Sequence, residues 1–176
     1  MRLNLREIIE IPGGSVPFAQ ELDTTLLDFP SVRAYTAPIT AEGKVVNTAG
    51  ILTLQGKLHA EMLCVCDRCG AEFPRTVDLD LHADITADAQ DDDPEVFTLD
   101  GDWLDVDEVL STCFILSMDT KCLCRPDCAG LCDRCGANLN LGPCRCQKPR
   151  DPRMAVLEQL LDNKTDEEEE AAHNSD

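Results

Sequence analysis

The sequence predicts an α+β protein: an antiparallel β-sheet with one long hairpin, a middle helix, a cysteine-rich C-terminal segment and a short last helix. Three observations carry this. Apolar and polar side chains alternate over 52–62 and again over 73–85, the period of strands with one buried face. A run with apolar residues at helical spacing follows Asp105. Most of the 11 cysteines fall in close pairs in a chain of 176 residues.

Taken in order, Leu3, Leu5, Ile8 and Ile9 suggest an opening strand closed by Pro12-Gly13-Gly14. Residues 15–30 are mixed, and LLDFP at 26–30 ends any local element. Stretches 32–39 and 44–54 are rich in β-branched residues, and Ala41-Glu42-Gly43 between them reads as a hairpin turn. Leu52, Leu54, Leu58, Ala60 and Met62 line one face of a long strand, which Gly56 interrupts as a bulge would. That strand runs into Cys64-Val65-Cys66. Phe73, Arg75, Val77, Leu79, Leu81, Ala83 and Ile85 then alternate against Thr76, Asp78, Asp80, His82 and Asp84. Residues 66–72 therefore read as the link between two antiparallel strands.

TADAQDDDPE at 86–95 reads as a solvated loop, 95–99 as a short strand and Gly101-Asp102 as a turn. Asp105 caps a helix over 105–117 whose apolar face is Val106, Val109, Leu110, Cys113, Phe114 and Leu116. Asp151 as N-cap and Pro152 at the first helical position start a last helix with Met154, Leu157, Leu160 and Leu161 on one stripe. The expected organisation is a sheet domain over 1–118, a cysteine-rich segment with its terminal helix over 119–162, and an acidic disordered tail over 163–176.

No run of 18 apolar residues is present, so no membrane span is expected. MRLNLREIIEIPGG lacks a long apolar core and is charged throughout, unlike a secretory signal, so the expected location is the cytoplasm. Net charge is −19, unevenly spread. Residues 78–108 carry many acids and no Lys or Arg. Lys121, Arg125, Arg134, Arg145, Lys148, Arg150 and Arg153 stand against only Asp127, Asp133 and Asp151 over 121–153. The whole chain repels phosphate backbones, and only the cysteine-rich segment has local charge suited to RNA.

In a reducing cytosol clustered thiols are metal ligands more often than disulfides. The hexapeptide Cys-Asp-Arg-Cys-Gly-Ala occurs at 66–71 and again at 132–137. A Cys-x-x-Cys-Gly turn suits tetrahedral zinc: two thiolates reach one ion from a tight turn, and the glycine adopts the positive dihedral the turn needs. Cys66/Cys69, Cys124/Cys128, Cys132/Cys135 and Cys144/Cys146 supply thiols for two four-ligand sites. Three pairings of these pairs are open. In the first the twin knuckles share one ion as in a zinc ribbon, in the second each pair joins its neighbour in chain order, and in the third Cys66/Cys69 joins Cys144/Cys146. Loop closure mildly favours neighbours, because 132–146 is a short span.

Cys64, Cys113 and Cys122 are left over; Cys64 and Cys113 fall on apolar faces and read as small buried thiols. His59, His82 and His173 lie away from the cysteine runs and read as surface residues. No nucleophile elbow or phosphate-binding glycine loop is present. A catalytic zinc keeps an open position and usually uses His. A thiol oxidoreductase would set its Cys-x-x-Cys beside a βαβ unit, which this β-rich sequence does not offer.

CDRCG at 66–70 after a strand, CRPDCAGLCDRCGANLN at 124–140, CRC at 144–146 and DPRMAVLEQL at 151–160 resemble the YceD family. The similarity runs from the long strand to the last helix; the N-terminal third matches only in type, and Cys122 and the tail after 163 fall outside the pattern. The resemblance implies a non-enzymatic factor in synthesis or processing of 23S ribosomal RNA and in large-subunit assembly in bacteria. Relatives that keep the first Cys-x-x-Cys and a His/Cys pair matching Cys124 and Cys128, without the second cluster, favour two structural zinc sites. These are Cys66, Cys69, Cys124 and Cys128, then Cys132, Cys135, Cys144 and Cys146. The acidic face is then expected to hold a basic ribosomal protein or a pre-large-subunit particle, while Arg134, Arg145, Lys148 and Arg150 contact rRNA. The rival readings are a zinc-ribbon nucleic-acid-binding module and a thiol oxidoreductase.

Overall fold

A computed structural model describes residues 1–86 and 96–146. The chain divides into two compact units, Met1–Leu131 and Cys132–Asp176. Residues 119–131, grouped by the sequence with the C-terminal part, thus belong to the first unit. The helix expected from 151, the tail from 163, the loop at 87–95, Lys148 and Arg150 lie outside the described residues.

The first unit is built on β4 (Ile39–Thr48), β5 (Ile51–Val65) and β6 (Glu72–Thr86), paired antiparallel in chain order. β2 (Ser15–Leu22) extends the sheet beyond β4, β3 (Val32–Tyr35) pairs with the far end of β5, and β7 (Val96–Thr98) closes it beyond β6. β7 runs parallel to β6, so the sheet is mixed rather than wholly antiparallel. The alternation over β5 places Leu52, Leu54, Leu58, Ala60, Met62 and Cys64 in the core. Over β6 it buries Leu81, Ala83 and Ile85 and half-buries Phe73 to Leu79 on the same face. β1 (Arg2–Asn4), the single-turn α1 (Arg6–Ile9), β8 (Trp103–Asp105) and α2 (Val106–Ser117) complete the unit. The Asp105 carboxylate accepts from the Asp107 amide and caps α2, whose Val106, Val109, Leu110 and Phe114 join the core. Phe114 meets Phe29 edge-on at 5.9 Å. Leu116, expected on the apolar face, is 77% exposed instead.

Four expectations over residues 1–56 are corrected. Ile8 and Ile9 lie in α1, not a strand: the buried Asn47 amide donates to both their carbonyls, at 2.6 and 2.8 Å, and holds that turn on the sheet. Residues 15–22 form β2, whose Pro17 is tolerated because β2 is an edge strand. Ala41-Glu42-Gly43 lies inside β4, and the hairpin turn is Ala49-Gly50, with φ of +54° and +94° as a tight two-residue turn requires. Gly43 sits opposite Gly56 in unbroken register, so Gly56 marks no bulge. A Cβ on Gly43 would lie 2.6 Å from the Gly56 Cα. The two glycines are there because the strands approach too closely for a side chain.

Candidate metal centres

β5 and β6 pair up to Val65 and Glu72, and the residues between them form the first knuckle. The Cys66 amide donates to the Ala71 carbonyl at 2.9 Å, and the Gly70 amide to the Cys66 carbonyl at 2.9 Å, with Gly70 at φ +67°. The second copy makes the same bonds: Cys132 amide to Ala137 carbonyl at 2.8 Å and Gly136 amide to Cys132 carbonyl at 2.9 Å, with Gly136 at φ +69°.

Each knuckle meets a second pair of thiols. Cys66 and Cys128 sulfurs lie 3.7 Å apart, Cys69 and Cys124 sulfurs 3.8 Å apart, and all four lie within 4.8 Å of one another. Cys132, Cys135, Cys144 and Cys146 form the second such group, with Cys132 and Cys144 sulfurs at 3.4 Å. Of the three open pairings, this is the one that joins neighbours along the chain. Every cysteine is a free thiol. A tetrahedral ion at ~2.3 Å from each thiolate sets the sulfurs ~3.8 Å apart, so the donor sets fit a soft divalent ion without large movement.

The electrostatics of each cluster single out its first cysteine. Burial opposes ionisation of Cys66, but the amides of Cys124, Cys69 and Arg68 outweigh it and hold the thiol down at about 6. Cys124 is pushed up to about 12, first by burial and then by the proton it shares with Cys66 and Cys128. In the second cluster the Cys135 and Arg134 amides lower Cys132 to about 7, while hydrogen bonding to Cys135 and then burial push Cys146 up to about 12. Each cluster thus concentrates charge on one sulfur, and full ionisation needs a cation at its centre.

The surroundings of the first cluster contain residues the sequence did not single out. The Asp67 amide donates to the Cys122 carbonyl at 2.9 Å, and the Cys122 amide returns a bond to the Asp67 carboxylate at 2.6 Å. The Arg68 guanidinium donates to the Cys128 carbonyl at 2.9 Å. Gly130 (φ +75°) packs against the Arg68 backbone. Arg75 bridges the Asp119 carboxylate at 2.6 Å and the Cys122 sulfur at 3.8 Å. Cys122 is therefore a buried strut behind the cluster. Cys64 is fully buried, with its thiol pushed up to about 11 by burial first and by the neighbouring Cys122. Cys113 is half-buried. Arg134 and Arg145 are exposed in the second unit.

A sheet whose hairpin tip carries one four-thiol cluster, followed by a separate four-thiol knuckle, defines a cysteine-rich protein able to hold two metal ions. The chain belongs to the YceD family: the model of "Large ribosomal RNA subunit accumulation protein YceD" matches residues 54–161. Uncharacterized proteins of Mycobacterium tuberculosis and Mycobacterium bovis are each 28% identical to it over 122 residues, covering 66% of this chain and 58% of theirs. A maize chloroplast protein, "Large ribosomal RNA subunit accumulation protein YCED homolog 1", is 24% identical, covering 65% of this chain and 50% of its own. The chain thus spans little more than half the length of these relatives. No solved structure matches. Among the described residues, no helix is long and apolar enough to cross a membrane.

Proposed function

We propose that this chain is a non-enzymatic cytoplasmic factor that supports 23S ribosomal RNA accumulation and large-subunit biogenesis in bacteria. The observation that carries the reading is the family match over 54–161, which encloses both four-thiol clusters. Each cluster holds one structural zinc, whose charge ionises the four thiols and cross-links the segments that bear them. Four sulfurs fill a tetrahedral shell and leave no position for a substrate, which supports a structural role over a catalytic one. The factor acts by binding a basic ribosomal protein or an assembly intermediate. Arg134, Arg145, Lys148 and Arg150 then lie near rRNA on the partner particle.

The test is removal of the gene in its host, with 23S and 16S rRNA quantified and the wild-type protein followed through a sucrose gradient. A selective fall in 23S rRNA, and migration with large-subunit precursors, is the expected result. Unchanged 23S levels overturn the reading. Salt-dependent binding of free RNA by the isolated protein would favour the zinc-ribbon module instead, and dithiol turnover by the zinc-loaded protein the oxidoreductase.

A further inference from the structure

The core lies on one face of the sheet; the other face is left open among the described residues. The outward positions of β4, β5 and β6 include Thr40, Glu42 and Lys44, then Gln55, Lys57, His59 and Glu61, then Thr76, Asp78, Asp80, His82 and Asp84, all exposed or half-buried, whereas the outward Thr53 opposite Asp84 is buried. Cross-strand register sets Glu42 beside Lys57 and Lys57 beside Asp80, and sets His59 beside Asp78. Three acids are engaged within the face: Asp80 lies 4.0 Å from the Lys57 ammonium, and the His59 ring lies 2.6 Å from Asp78 and 3.5 Å from Glu61. A recess of about 360 Å³ opens between these rows, walled by Thr40, Glu42, Lys57, His59, Asp78 and Asp80.

We propose that this open face is a docking surface for an extended, Arg/Lys-rich segment of a protein partner. The proposal rests on the reading that the chain holds a basic partner, and it says where. Glu42, Glu61, Asp78, Asp80 and Asp84 outnumber Lys44 and Lys57, so the face attracts cations and repels both RNA phosphates and a second copy of itself. Its size suits a short segment. The recess is confined to β4, β5 and β6, and three strands at ~4.8 Å spacing put the outer strand axes about 10 Å apart, the width one extended chain fills. The recess accepts a guanidinium or ammonium whose charge Glu42, Asp78 and Asp80 balance. An interface of this kind gives fast, salt-sensitive binding, as a transient assembly contact requires.

The test uses the zinc-loaded full chain and a fluorescein-labelled Arg-Gly repeat peptide, followed by anisotropy. The face variant Glu42→Gln/Asp78→Asn/Asp80→Asn/Asp84→Asn is compared with the tail variant Glu167→Gln/Glu168→Gln/Glu169→Gln/Glu170→Gln, which changes net charge equally. The face variant is expected to bind at least about tenfold more weakly, and the tail variant less than about twofold. Equal losses, or a larger loss from the tail, overturn the proposal. Lys57→Gln removes the cation that competes for Asp80 and is expected to tighten binding by about threefold, a gain that misfolding cannot produce. Unchanged or weaker binding there also overturns it. Single-stranded RNA that displaces the peptide from the wild type, or self-association lost only in the face variant, assigns the surface to another occupant. If the peptide discriminates as expected while the protein never migrates with large-subunit precursors, the functional reading falls and the surface stands. If migration occurs and the variants do not discriminate, the surface alone falls.

Discussion

The same six residues occupy 66–71 and 132–137, and both copies close with the same pair of backbone hydrogen bonds, yet they serve their clusters differently. At the first copy, two strands of 15 residues end in the turn, three of its four thiols are buried, and Asp67 and Arg68 bond to the backbones of Cys122 and Cys128. At the second, only Cys132 is buried, and Asp133 faces the Cys132 sulfur at 3.7 Å. The described part of that unit holds a single short 3₁₀ turn, Leu139–Leu141, capped by Asn138. The hexapeptide therefore encodes a ligand turn and nothing more. Whether that turn is held by protein or by the ion depends on what surrounds it.

The largest expected effects separate the two clusters. Cys66→Ser should lose one zinc by native mass spectrometry and destabilise the sheet by about 5 kcal/mol or more, since ion binding there is coupled to folding. Cys132→Ser should lose the other zinc and leave the sheet's thermal transition in place. Loss of both ions from Cys132→Ser would mean that the clusters are not independent. Asp67→Ala comes next. It removes a charged acceptor from the buried Cys122 amide and should cost about 1–2 kcal/mol in chemical denaturation. Asp133→Ala should leave the same transition unmoved, and an equal loss from both would mean that the two turns are held alike.

Gly70→Ala and Gly136→Ala impose the same local strain, about 1 kcal/mol at a positive φ. The first should appear as lost sheet stability and the second only as weaker retention of zinc against a chelator. The smallest effect is a titration remote from both knuckles. The hydrogen bond to Asp78 raises the His59 pKa above 6.5, against a small opposing effect of burial and with help from Glu61. Its contribution to stability is fully present below about pH 6.5 and is lost as pH rises through the raised value. Nuclear magnetic resonance should see that value fall in Asp78→Asn and stay put when zinc is stripped.

The long strands and α2 were legible because burial on one face leaves a period in the sequence, and the Asp105 cap was legible because its carboxylate works locally. What escaped depends on neighbours distant in the chain. Gly43 and Gly56 look like a turn and a bulge until they are seen back to back across two strands. β2 hid its alternation behind Pro17, and α1 is held by Asn47, far along the sequence. At the clusters, spacing named all eight thiols and left three pairings open; loop closure and the family resemblance favoured the one in which the sulfurs lie together. Cys122 carried no signal because its part is played through its backbone and through Arg75.

The separation of the first cluster's halves bears on how the chain is made. Cys69 and Cys124 are 55 positions apart, whereas Cys132 and Cys144 are 12 apart. At a synthesis rate of ~5–20 residues per second, the first knuckle waits roughly 3–11 s for its mates. During that wait β6 and α2 emerge and can fold. Cys124 and Cys128 then leave the ribosome before Cys132 and Cys135, so the correct partners reach the first knuckle ahead of its own twin. The order of synthesis thus gives Cys124 and Cys128 first access to the knuckle at 66–71, ahead of a turn of identical sequence.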